Sequence, residues 1–269
     1  KGHELVVVPP QEVMAAITDE IGVVLLTEVD YRTGRRHDMQ AVSHRAHDAG
    51  AVIVWELAHS AGAFPVDLAG CHADFAVGCT YKYLNGGPGS PGFIYAARQH
   101  HARINPIMAG WLGHDAPFAF DADYRPANGI GRMRVGTPPV LALAALDAAL
   151  DVFDNVDMAE IRKQSESLME QFIEGVEAAC PALELASPRQ TALRGSQVSF
   201  RFQNGYAAMQ ALIAEGVIGD FRAPDIMRFG FTPLYVDAQD VTRAVATIER
   251  VINGGLWDRP EFHQKGVVT

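Results

Sequence analysis

The sequence predicts an α/β fold: a mostly parallel sheet covered by helices, followed by a smaller α+β domain at the C-terminal side. Two observations predict the first part. Short apolar runs lack alternation, as in Ala51-Val52-Ile53-Val54-Trp55, and helical patterns lie between them. A third observation predicts the second part. At Gln197-Val198-Ser199-Phe200-Arg201-Phe202 the apolar residues alternate with polar ones, the pattern of a sheet with one wet face. The boundary is expected near residue 160, within a long helical region, which gives domains 1–160 and 161–269.

The elements follow in order. Leu5-Val6-Val7-Val8 reads as a buried strand beginning directly after Lys1, so the opening resembles an interior point of a longer protein. Val23-Val24-Leu25-Leu26 is the next strand, with a loop around Tyr31-Arg32-Thr33-Gly34. Asp38 suits a helix N-cap, Met39, Val42, Ala46 and Ala49 share one face of the helix, and Gly50 ends it. The run Ala51–Trp55 is expected to be buried on both faces, and Phe75-Ala76-Val77-Gly78 and Phe93-Ile94-Tyr95-Ala96 repeat its type. From Asn105 to Pro139 Gly, Pro and aromatic residues dominate, and a long irregular stretch of this kind is usually functional. Helices are expected over Pro139–Phe153, Met158–Ala179, Ala207–Glu215 and Asp237–Val251, with a strand at Met227–Phe231.

Composition narrows the function. The chain has 269 residues, 22 Lys+Arg against 32 Asp+Glu, and a net charge of −10. Phosphate backbones call for a basic face, so nucleic acid is not an expected partner. No apolar run reaches the roughly 18 residues of a spanning helix, so no membrane partner is expected either. Cys71, Cys79 and Cys180 show no metal-ligand spacing, so no metal is expected, and three such cysteines fit a reducing cytoplasm.

In an open α/β sheet, ligands gather beyond the carboxyl ends of the strands. Thr27-Glu28-Val29-Asp30-Tyr31, Glu56-Leu57-Ala58-His59-Ser60-Ala61-Gly62 and Cys79-Thr80-Tyr81-Lys82-Tyr83-Leu84-Asn85-Gly86-Gly87-Pro88-Gly89 occupy such places. A carboxylate and a histidine follow one strand, and a lysine between two tyrosines follows another. A desolvated lysine loses proton affinity and becomes the nucleophilic amine that Schiff-base chemistry requires.

These residues resemble the fold-type-I pyridoxal-phosphate enzymes. Within them, Cys79 through Ser90 resembles the cofactor-lysine segment of the kynureninase family. Gly110-Trp111-Leu112-Gly113-His114, Arg134-Val135-Gly136-Thr137-Pro138 and Arg228-Phe229-Gly230-Phe231-Thr232-Pro233-Leu234-Tyr235 resemble it too, in the family's order. The resemblance implies that the first domain is the C-terminal part of a fold-type-I large domain whose N-terminal part lies outside these residues.

It also implies roles. Lys82 would hold pyridoxal 5'-phosphate as a Schiff base and move the substrate α-proton. Glu56 would pair with the ring nitrogen, in a place where the family typically has Asp; the charge is kept and one methylene is added. His59 would lie beside the cofactor, with a structural hydrogen-bonded histidine as the competing reading. Tyr81 would reach the phosphate and serve as acid/base, unless it is a core tyrosine. Trp111 and Thr137 would reach the phosphate from the neighbouring subunit of a homodimer. A hydrophobic anchor and a helix N-cap are their alternatives. His114 would lie near the substrate. Arg228 would grip the substrate α-carboxylate, with Arg222 as a nearby competitor. The implied reaction is hydrolysis of L-kynurenine or 3-hydroxykynurenine to anthranilate or 3-hydroxyanthranilate and L-alanine. Rival expectations are a cysteine desulfurase or selenocysteine lyase, which would need a nucleophilic cysteine after the lysine, and a non-catalytic relative or inactive fragment.

Overall fold

The computed structural model describes residues 2–264 and 266. The chain divides into two units. The first comprises Lys1–Glu28, Asp38–Ala58 and Asp67–Ala149; the second comprises Val29–His37, His59–Val66 and Leu150–Thr269.

The first unit holds a short helix α1 (Val13–Ala16), β1 (Val23–Thr27), α2 (Met39–Asp48), β2 (Val52–Glu56), β3 (Phe75–Cys79), β4 (Gly92–Ala96) and α3 (Val140–Leu150). Its sheet has the order β1-β2-β3-β4, with β1, β2 and β3 parallel and β4 antiparallel at the edge. The Asp38 side chain caps α2 by accepting from the Ala41 N–H at 2.9 Å. Met39, Val42 and Ala46 of this helix are buried, as is Trp55 of β2, whose Nε1–H donates to Ser43 Oγ at 3.0 Å.

Asp74, 3% exposed, lies just ahead of β3. It accepts from the Ile53 N–H of β2 at 3.0 Å, from His47 Nε2 of α2 at 2.9 Å and from His100 Nε2 beyond β4 at 2.6 Å. Burial pushes this carboxyl up, but the bonds from Ile53, His100 and His47 outweigh it and hold the group below its ordinary value.

Two expectations are corrected here. Leu5 to Val8 form no strand; Leu5, Val6 and Val7 are exposed, because an apolar run without a pairing partner has no backbone ladder to join. Val52 and Val54 of β2 are half-buried rather than buried, and Val23 and Leu25 of β1 are exposed, so one face of this sheet is thinly covered. The helix expected over Pro139–Phe153 is present as α3, and it has no buried residue, with Leu141 89% exposed.

The second unit holds α4 (Met158–Ala179), β5 (Glu184–Leu185), β6 (Gln197–Arg201), α5 (Gly205–Ala214), β7 (Asp220–Arg222), β8 (Ile226–Gly230), α6 (Ala238–Asn253) and α7 (Pro260–His263). Its sheet is antiparallel throughout, in the order β5-β6-β8-β7. The core between sheet and helices centres on Phe172 of α4, whose ring lies 5.0 Å from Phe229, 5.2 Å from Phe231 and 6.0 Å from Phe200. Asp237 starts α6 with a capping box completed by Asp240.

The wet face expected for β6 is absent. Gln197 and Ser199 are as buried as Val198 and Phe200. For Gln197 the reason is local chemistry: its Nε2 donates to the carbonyls of Asp30 and Tyr31 at 3.2 Å each. Alternation here marks a polar seam under the segment 29–37, not solvent. Among the described residues no helix is long and apolar enough to cross a membrane.

Candidate functional site

Glu56 is the last residue of β2, and Lys82 comes three residues after the end of β3. The two strands are parallel neighbours, with Glu56 opposite Val77. Both side chains therefore leave from the same end of the sheet, its carboxyl end. The Glu56 carboxylate is held from two sides: Oε1 accepts the Ala58 N–H at 2.8 Å and Oε2 accepts the Thr27 hydroxyl at 2.8 Å. The added methylene lets the carboxylate fold back onto its own chain, and each oxygen keeps a second lone pair for an outside donor.

The loop carrying Lys82 is closed on itself. The Thr80 hydroxyl, 5% exposed, donates to the Pro91 carbonyl at 2.5 Å and lies 2.5 Å from Ser90 Oγ. The Gly86 N–H donates to the Thr80 carbonyl and the Asn85 N–H to the Lys82 carbonyl, each at 2.9 Å. A Cβ at Gly86 would come within 2.3 Å of Ser90 Oγ and 2.9 Å of the Thr80 carbonyl, so this turn requires glycine. The half-buried Lys82 places its Nζ 5.4 Å from the centre of the exposed Tyr81 ring. Nearby, Cys79 Sγ lies 4.0 Å from the Ala58 carbonyl and links the two strand ends.

Trp111 is 46% exposed, with its ring edge-on to Phe118 at 5.7 Å. Its segment and that of Thr137 run against each other: a Cβ at Gly110 would meet the Val135 carbonyl at 1.6 Å, and one at Gly136 would stand 3.9 Å from Trp111 Nε1. Thr137 is exposed, and because α3 starts at Val140 it does not cap that helix. His114 is buried in its own loop. Its Nδ1 accepts the Ala116 N–H at 2.9 Å, and its Nε2 lies 3.2 Å from the Asp123 carbonyl.

His59 and Arg228 belong to the second unit, where they stand together: Arg228 Nη1 is 3.4 Å from His59 Nε2. Arg228 sits on β8 opposite Asp220 of β7 and Ser199 of β6. Its Nε donates to Asp220 Oδ1 at 2.8 Å, its Nη2 pairs with Asp220 Oδ2, and its Nη1 donates to the Tyr31 carbonyl at 2.5 Å. Arg222 reaches the same Asp220 Oδ2 at 3.2 Å. Asp220 carried no sequence signal, because β7 is only three residues long and shows no periodicity. Thr80 and Ser90 were likewise legible only as part of a glycine-rich turn. The arrangement offers a primary amine and a tethered carboxylate in the first unit, and a guanidinium held by Asp220 beside a histidine in the second.

Comparison with known proteins shows what the chain as a whole is similar to. Residues 161–248 match the family model of the kynureninase C-terminal domain. A kynureninase of Deinococcus radiodurans is 55% identical over 247 residues, which is 91% of this chain and 60% of that protein. A kynureninase of Burkholderia mallei is 48% identical over 262 residues, covering 97% of this chain and 63% of that protein. Among solved structures, the apo cysteine desulfurase of Thermococcus onnurineus superposes with a TM-score of 0.77 at 20% identity, over 91% of this chain and 63% of that one. A cysteine desulfurase from Escherichia coli gives 0.74 at 20% identity, over 90% and 62%. The fold is therefore that of these enzymes. The chain spans about three fifths of the length of the curated relatives it matches, and over nearly all of its own length it is homologous to the kynureninases.

Proposed function

We propose that this chain supplies the lysine, the ring-facing carboxylate and the substrate-carboxylate anchor of a pyridoxal-phosphate-dependent kynureninase. That enzyme hydrolyses L-kynurenine, or its 3-hydroxy form, to anthranilate, or 3-hydroxyanthranilate, and L-alanine. The observation that carries the reading is the closed Lys82 loop at the strand end adjacent to the tethered Glu56 carboxylate, in a chain 48% to 55% identical to kynureninases. The donor set fits the cofactor. A primary amine is available for covalent attachment, Glu56 has spare lone pairs for a ring N–H, and an indole N–H and two hydroxyls are available for phosphate oxygens. When bound, pyridoxal phosphate supplies an electron sink for charge at the substrate α-carbon.

The residues then divide the work. Lys82 provides the attaching amine and carries the α-proton. Glu56, fixed by Thr27 and Ala58, keeps the ring nitrogen protonated through its negative charge. The Tyr81 hydroxyl donates toward the phosphate and moves protons late in the reaction, while Trp111 and Thr137 donate to phosphate across a homodimer. Arg228 binds the substrate α-carboxylate, His59 orders the site beside it, and His114 shapes the loop near the substrate by holding Ala116 and Asp123. Among the described residues Cys71, Cys79 and Cys180 form no disulfide, which is in keeping with a cytoplasmic setting. The desulfurase reading finds no nucleophile: Cys180, the cysteine that follows Lys82, is fully buried and burial raises its thiol pKa.

The test supplies the protein with pyridoxal phosphate and kynurenine and follows anthranilate fluorescence, alongside borohydride trapping read by mass at Lys82. The intact protein should form anthranilate and gain the cofactor mass, and Lys82→Ala should do neither. No anthranilate from the intact protein, or equal formation by the variant, overturns the reading.

A further inference from the structure

We infer that Asp220 is a positioning residue for Arg228: it clamps the guanidinium side-on and leaves the remaining N–H groups directed at a ligand carboxylate. The inference rests on Arg228 as the α-carboxylate anchor proposed above. A guanidinium has five N–H donors. One on Nε and one on Nη2 go to the two oxygens of Asp220, and one on Nη1 goes to the Tyr31 carbonyl. One donor remains on Nη1 and one on Nη2, enough for both oxygens of an incoming carboxylate. His59 Nε2 stands at the Nη1 end, at the long distance of 3.4 Å, which an incoming carboxylate oxygen can replace.

Three features make Asp220 a clamp rather than a competitor for that carboxylate. Asp220 and Arg228 face each other across the β7–β8 ladder, so strand register holds the pair. Arg222 binds the same Asp220 Oδ2 and helps to hold the carboxylate in place. With its side chain only 10% exposed, Arg228 has little room to swing, and the clamp sets where its free donors point.

The experiment uses the protein loaded with pyridoxal phosphate. Its probes are L-alanine, which carries the α-carboxylate, and ethylamine, the same amine without it. Calorimetric Kd values are measured for wild type, Asp220→Asn, Asp220→Glu and Arg228→Lys, with KM and kcat for kynurenine beside them. Loss of one charge-assisted contact in the clamp should weaken L-alanine binding and raise KM about tenfold or more in Asp220→Asn. In that variant kcat should stay close to wild type and ethylamine binding should be unchanged, and Asp220→Glu should fall between it and wild type. Unchanged or tighter L-alanine binding by Asp220→Asn overturns the inference, as does an equal loss for ethylamine or no L-alanine binding by wild type. If Asp220→Asn does not fold, Asp220→Glu decides on the same contrast between the probes. Normal L-alanine binding by Arg228→Lys instead overturns the anchor reading itself, whereas a weakened Arg228→Lys beside an unchanged Asp220→Asn removes only the clamp.

Discussion

Replacing Asp74 with alanine should destabilise the first unit by about 3–5 kcal/mol at neutral pH. The figure is built from the groups that Asp74 serves. Ile53 is fully buried, so its N–H, which now donates to Asp74 at 3.0 Å, would find no water in the variant. An orphaned buried donor costs about 1–3 kcal/mol. The two histidine bonds are each worth about 1.5–3 kcal/mol when the acceptor is charged. His47 and His100 are 36% and 19% exposed and can turn toward solvent, so only part of that is lost. For a unit of this size the sum corresponds to a fall of roughly 10 °C in Tm.

The pH dependence has a definite sign. Because the folded carboxyl titrates below its ordinary value, its contribution is fully present above the unfolded pKa of about 4 and fades as pH falls through the folded pKa. Guanidinium titrations of wild type and Asp74→Ala, followed by circular dichroism from about pH 7 down to about pH 3, should show the gap narrowing only in the acid range. A gap below about 1 kcal/mol at neutral pH, or one that stays constant into acid, would refute the reasoning.

Two further outcomes test other parts of the molecule. Gly86→Ala forces a Cβ to 2.3 Å from Ser90 Oγ, so the Lys82 loop should open, borohydride trapping of pyridoxal phosphate at Lys82 should drop, and stability should fall by about 1–3 kcal/mol; mass spectrometry with a thermal melt checks both. Phe172→Ala empties the centre of the ring cluster in the second unit and should cost about 3–5 kcal/mol, read as a lowered denaturant midpoint at unchanged slope.

What the sequence could announce was local. Asp38 and Asp237 advertise helix starts because a cap acts on N–H groups two or three residues away, and the apolar runs of β2 and β3 advertise a parallel sheet because their pattern is internal. The glycine-rich turn after Lys82 was legible for the same reason. Partnerships set by tertiary placement were not. Asp74 gathers His47, Ile53 and His100 from three different elements, and no spacing rule links them. The alternation in β6 was read as a wet face because a buried polar seam and a solvated one share the same pattern, and only the carbonyls of Asp30 and Tyr31 distinguish them. Asp220 escaped because β7 is too short to show a period, yet its register opposite Arg228 is what holds the guanidinium.

The second unit is not a contiguous stretch of chain. It takes in 29–37 and 59–66 as well as everything from Leu150 onward, so the backbone passes between the units five times. Residues 161–248, which match the C-terminal domain model, are therefore only part of the second unit, which also takes in two earlier segments of chain. Excised at Leu150, the sheet would lose the Asp30 and Tyr31 carbonyls that satisfy Gln197, the Tyr31 contact of Arg228, and Phe64, whose ring lies 4.3 Å from the Arg36 guanidinium and 5.4 Å from that of Arg162. The finished antiparallel sheet thus depends on two loops from the N-terminal half, through contacts of long sequence separation, the kind that slow folding.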